Sequence, residues 1–168
     1  MALPTIIVST VGVSGHAPPF KSSAGNFYAV VFVDGATEDI EVFKATDPTD
    51  SWTAQDSANG PSETGGRKYA NIATVQDGDL IHIASFNIDK YDYHSFNMAT
   101  DAWSVVGELI ETPANFPNRS WISIAVRSDG DVIVVYNGDT DSVKGGAKER
   151  VDVNIRTGGT WGGAVALD

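Results

Sequence analysis

Apolar and polar residues alternate along this chain in short runs, each broken by Gly, Asp, Asn or Ser. The stretch from residue 69 to 109 has the clearest pattern. Residues 69–75 and 80–85 are apolar runs on either side of Asp77-Gly78-Asp79. Asp-Gly between two such runs is a strong hairpin signal, because Gly reaches positive φ without steric cost. Residues 91–98 alternate in the pattern of a half-buried strand. Thr100-Asp101-Ala102 then forms a turn, and residues 103–109 make a fourth strand.

The same unit recurs. Arg67 and Arg119 lie 52 residues apart, as do Gly78 and Gly130, and the segments 67–81 and 119–133 align without a gap. A further step of 52 residues back from Leu80 reaches Tyr28, which opens the run Tyr28-Ala29-Val30-Val31-Phe32-Val33. This first copy is degenerate. Gly15 stands where the others have Arg, and Gly25-Asn26 replaces Asp-Gly. Each copy ends at a tryptophan, Trp52, Trp103 or Trp161. The third copy carries six extra residues between its Gly and its Trp, which fit the polar stretch from Asp139 to Glu149. Pro61, Pro113 and Pro117 fall between copies, where no ladder N–H is required.

Four antiparallel strands recurring near fifty residues predict an all-β chain of β-propeller blades, three four-stranded blades per chain. The predicted divisions are residues 15–63, 64–115 and 116–168. Residues 1–14 form an N-terminal strand that completes a neighbouring blade. A sandwich also has short strands, but it does not explain a whole-unit repeat. Propellers usually have about 4–8 blades, so three do not close a ring. With Met1 at one end and no linker at either, the simplest expectation is a homodimer making a six-bladed propeller. Its contacts run head to tail, from blade 3 of one chain to blade 1 of the other. The three tryptophans are expected to pack between blades.

Composition narrows the function. The net charge is −11 over 168 residues. Such a surface repels phosphate backbones and anionic membranes, so neither a nucleic acid nor a membrane is an expected partner. There is no cysteine, which excludes disulfides and thiolate metal sites. His16, His82 and His94 lack ligand spacing, and Asn137-Gly138-Asp139-Thr140-Asp141 is calcium-like only in composition. No metal or cofactor is therefore expected. The N-terminus has no basic region and only a short apolar run, and no stretch reaches the length of a membrane span. A soluble protein follows, its compartment open; a cysteine-free symmetric module of this kind fits a virus or phage particle.

Two features resemble the sialidase-like propellers with Asp-box (BNR) repeats. One is Arg, a small spacer, Ile-Ala, three residues and Asp-Gly-Asp-[Leu/Val]-Ile, at 67–81 and 119–133. The other is the turn before the fourth strand, where Thr157-Gly158-Gly159-Thr160-Trp161 keeps part of the Asp-box without its aspartate, and Thr100-Asp101-Ala102-Trp103 keeps Asp and Trp. The resemblance implies that ligands bind on the face where the second-to-third-strand and inter-blade loops open. Arg67 and Arg119 end inter-blade loops, so they are candidate ligands for a carboxylate, which guanidinium groups bind in bidentate fashion. Tyr69 and Trp121 follow them. Tyr93, His94 and Asp141 lie towards the other loop set and complete a candidate carbohydrate site, where flat rings stack on sugars.

Catalysis has weaker support. A sialidase uses three arginines, and Gly15 fills the third slot here. A glycosidase needs two carboxylates at defined separation; Asp92 and Asp141 lie in the right loops, but acidic residues are too frequent here for the pair to be distinctive. The expected function is an oligomeric binding or structural module for a carbohydrate or acidic ligand. The alternatives are a sialidase-like glycoside hydrolase and a scaffold without ligand.

Overall fold

The computed structural model describes residues 18–34, 38–63, 71–87, 90–112, 121–139 and 149–167. The expected N-terminal strand lies outside them. The described residues form three antiparallel sheets and a single turn of 3-10 helix, Ser57–Asn59. The chain is all-β.

In the first sheet, β1 (Phe20–Lys21), β2 (Phe27–Asp34), β3 (Glu38–Ala45) and β4 (Thr53–Gln55) follow one another in order, and β5 (Ser62–Glu63) also pairs with β3. The second sheet is β6 (Asn71–Asp77), β7 (Leu80–Phe86), β8 (Tyr91–Asn97) and β9 (Ala102–Glu111). The third is β10 (Ile122–Val126), β11 (Val132–Asp139), β12 (Glu149–Thr157) and β13 (Thr160–Trp161), with β14 (Val165–Leu167) also pairing with β12. Each sheet is thus a meander of neighbouring strands, with the outermost strand split in the first and third.

Local chemistry accounts for the turns. Asp77 pairs with Leu80 across a two-residue turn, in which Gly78 has φ 56°. Asp101 takes φ 54°, which Asp tolerates better than most residues. Its side chain is tied down: it accepts hydrogen bonds from Tyr28 Oη at 2.7 Å and Lys44 Nζ at 2.5 Å. Both donors belong to the first sheet, so this turn fastens two sheets together.

The second sheet lies between the other two. Ile81, Ile83, Phe96 and Met98 join Tyr28, Val30, Phe32, Ile40 and Val42 of the first sheet in one core. Ala84, Phe86, Tyr91 and Tyr93 join Val132, Val134 and Tyr136 of the third in another. Strands β7 and β8 are therefore buried on both faces. Trp103 packs against the first core and Trp161 against the second, as expected of residues between repeats. Trp52 is half-buried and belongs to neither core.

The spacing of 52 residues does not hold for the faces. Tyr28, Val30 and Phe32 point forward to the second sheet, and Ala84 and Phe86 forward to the third. Val132, Val134 and Tyr136 point back to the second. The cause is hairpin length. Ile72 pairs with Ser85 and Ile124 with Val134, so those partners lie 49 residues apart rather than 52. An odd shift of register turns every side chain of a strand to the other face.

Candidate functional site

The ends of β7, β9 and β11 and the starts of β8, β10 and β12 meet at one end of the second and third sheets. There the sequence places a basic residue two positions before an aspartate in both third strands: Lys90-Tyr91-Asp92 and Arg150-Val151-Asp152. A strand returns to the same face every second residue, so each cation can fold onto its own aspartate. Lys90 Nζ lies 2.7 Å from Asp92 Oδ2, and Arg150 Nη2 is 2.6 Å from Asp152 Oδ2. The Arg150 Nε also faces Asp152 Oδ1.

Both carboxylates are buried, Asp92 at 1% and Asp152 at 0% exposure, while the cations keep about a third of their side chains in solvent. A buried charge is tolerated only when paired. The geometry is a buried anchor holding a solvent-facing cation. The hydrogen bond to Asp152 holds the Arg150 guanidinium still more firmly protonated than usual.

Aromatic and polar groups close round these pairs. The Tyr91 and Tyr136 rings stand 4.5 Å apart, and Tyr91 also packs on Phe86. Tyr91 Oη lies 2.9 Å from both the carbonyl and the side-chain oxygen of Asn137. That side-chain oxygen also accepts from the backbone N–H of Trp121 at 3.1 Å. Tyr136 donates its hydroxyl to Glu111. Burial pushes the Tyr136 hydroxyl pKa up, and Glu111 beside it adds to the shift.

Gly138 matters here for close approach. A Cβ at this position would overlap the Asp152 carboxylate. The Gly138→Ala protein should therefore lose about 1–3 kcal/mol in urea unfolding, whereas Gly78→Ala, with open space around it, should lose only the cost of its positive φ, about 1 kcal/mol.

The predicted site residues divide into three groups. Arg67, Tyr69, Arg119 and Asp141 lie outside the described residues. Trp121 is at the site, with 37% of its surface exposed. Tyr93 and His94 are not presented to a ligand. Each is 1% exposed, one on each face of β8. Tyr93 packs edge-on to Trp161 at 5.7 Å and lies under the Arg156 guanidinium at 5.0 Å. His94 accepts from the Gly107 N–H through Nδ1 at 2.9 Å and meets Ser85 Oγ through Nε2 at 2.9 Å. Alternation along β8 sends both rings into the stack, so their nearness in sequence to the loop does not place them at its mouth.

The repeated cation–aspartate pair escapes a search at constant spacing. Lys90 and Arg150 lie 60 residues apart, because the third repeat has the longer loop before β12. The signal was a basic residue, a spacer and Asp opening the third strand of two copies. Among the described residues no group of His, Asp or Glu is arranged to hold a metal ion. Arg156 and Glu108 form a bidentate pair at 2.9–3.1 Å that ties β12 to β9, a fastening between sheets distinct from the site.

The fold defines a stack of three antiparallel meander sheets with one polar, cation-bearing end. No family model matches the sequence, and the search of curated proteins gives no match. Among solved structures the chain is similar to a polysaccharide lyase of family PL25, an ulvan lyase bound to -[GlcA(1-4)Rha3S]-. The TM-score is 0.59 at 14% identity, over 90% of this chain and 42% of the lyase. The same values hold for a second structure of a PL25 ulvan lyase. The chain thus spans less than half the length of that neighbour.

Proposed function

We propose that this chain is a glycan-binding module built from propeller-type blades, and that it takes an acidic polysaccharide at the end bearing Lys90, Arg150 and Trp121. The repeated pair of a buried aspartate and a solvent-facing cation carries this reading. Two cations held at matching places on adjacent sheets suit a chain of sugars with regularly spaced carboxylate or sulfate groups. Guanidinium binds such groups in bidentate fashion, and the exposed Trp121 ring offers a flat surface for a sugar. The fold likeness to a lyase whose ligand contains GlcA supports an acidic sugar as the ligand class.

Binding of GlcA(1-4)Rha3S oligosaccharides and of a neutral control glycan, followed by calorimetry, tests the reading. The expected outcome is binding of the acidic oligosaccharide alone, weakened about tenfold or more by Arg150→Ala, where tenfold is about 1.4 kcal/mol. Lys90→Ala should weaken it in the same direction. Equal binding of the neutral glycan, or no effect of either substitution, would remove the proposal. Turnover is checked on the same samples with a fluorogenic sialoside and by ultraviolet absorbance of unsaturated ends. Turnover lost with Arg150→Ala would favour an enzyme, sialidase-like in the first assay and lyase-like in the second.

A further inference from the structure

We infer that this chain self-associates through the outer face of its third sheet, packing it against the same face of a second copy.

The pairing fixes which residues share that face. Ile133 lies opposite Ile155, Val135 opposite Val153, and Val153 opposite Val165, while Leu167 pairs with Val151. Val132, Val134 and Tyr136 alternate to the inner face and fill the core against the second sheet. No described sheet covers the outer side. Ile155 is 37% exposed, Val165 61% and Leu167 51%. A contiguous apolar face of this kind marks an interaction surface in a soluble protein.

Charge selects the occupant. The chain carries a net charge of −11, so two copies repel unless they meet where charge is absent. The apolar residues named on this face are uncharged, and the same register sets Asp139 opposite Glu149 at the end of the ladder. At its rim Arg127 and Asp131 pair with each other. A second copy can therefore approach over the apolar part of the face without desolvating an ion, provided the Asp139–Glu149 end stays outside the contact.

The outer face of the first sheet does not offer the same opportunity. It carries Asp39 opposite Val33 and Glu41 opposite Val31. Its Phe43 and Ala45 are already buried in the single chain, at 7% and 4%. Burial, with Asp39 beside it, already pushes the Glu41 carboxyl up. Head-to-tail closure would set an apolar face against these acids, whereas contact between two third sheets matches apolar with apolar. A C2 contact of this kind uses one patch on both copies.

Strands about 4.8 Å apart and six or so residues long at about 3.4 Å each give a footprint on the order of 400 Å² per copy. Two copies would thus bury about 800 Å² in total, below the size of stable interfaces, so the association is weak, transient and concentration-dependent.

The cysteine-free sequence allows a direct test. Sedimentation equilibrium across concentrations should give a monomer–dimer equilibrium. Leu167→Asp should move it to monomer with an unchanged far-ultraviolet circular dichroism spectrum, and Val165→Asp should repeat the effect. A Val165→Cys chain treated with a short bismaleimide should yield covalent dimer by itself. A monomer at every concentration would overturn the inference, and so would a dimer indifferent to both aspartates. Cross-linking that requires mixing Val165→Cys with Glu41→Cys chains would overturn it in favour of head-to-tail contact.

Discussion

Replacing Phe96 with alanine should lower the unfolding free energy by about 3–5 kcal/mol, the range for truncating a fully buried aromatic side chain. Phe96 has no exposed surface and stands on β8, in the middle of the middle sheet. Its ring is 6.2 Å from Tyr28 of the first sheet and meets Trp103 edge-on at 5.3 Å. Removing it opens a cavity at the seam where the two sheets join, bordered by strands that hydrogen bonding holds in place and that cannot readily collapse into it. Urea unfolding should give a lower midpoint at an unchanged slope. Val106→Ser, at a site 44% exposed on β9, should change stability by no more than about 0.5 kcal/mol. A loss below about 1 kcal/mol for Phe96→Ala would mean that the two sheets do not pack across this residue.

Acid should destabilise the protein well before its carboxylates are protonated. Burial, aided by the nearby Lys90 charge, lowers the His94 pKa from 6.5 to about 3. Above pH 6.5 the ring is neutral in both folded and unfolded chains, and the stability tied to it is fully present. As pH falls below 6.5 the unfolded chain takes up a proton that the folded chain refuses until about pH 3. Stability therefore falls with pH across that window, by about 1.4 kcal/mol per unit, or about 2 kcal/mol between pH 7.5 and pH 5. Burial also lowers the His82 pKa, which adds in the same direction. Relief of the excess negative charge acts in the opposite direction. The difference between the wild type and His94→Gln isolates the histidine: urea unfolding at pH 7.5, 6 and 5 should show a clearly shallower pH dependence in the variant, at the expense of some stability at pH 7.5. Equal slopes would show that the ring is not buried in its neutral form.

Much of the fold is legible because its signals are local. Asp77-Gly78-Asp79 makes a hairpin by its own backbone preferences. The alternation from Tyr91 gives β8 to within one residue, and the degenerate run from Tyr28 still forms β2 although its turn has lost Asp-Gly. Of the predicted strand over residues 69–75, the described part belongs to β6, Asn71–Asp77, which runs two residues past the predicted end. Strand ends depend on the neighbouring strand as well as on the segment itself.

The site was less legible. The expected end of the sheets, where the loops open, bears the exposed Trp121 and the two cations. Yet Tyr93 and His94, assigned to that end from their place beside the loop, are rings of the core. Lys90 and Arg150 gave no signal at the repeat spacing, and their aspartates look like ordinary surface acids until the sheets stack over them.

By itself the sequence determined that this is an all-β chain of short antiparallel strands, because turns and alternation act over a few residues. Only the tertiary structure decided which face of each strand meets which sheet. It also decided which aspartates are buried to hold a cation, and that no described sheet covers the outer apolar face of the third. Those outcomes depend on register, where a shift of one residue reverses inside and outside, and on burial, which no segment can impose on itself.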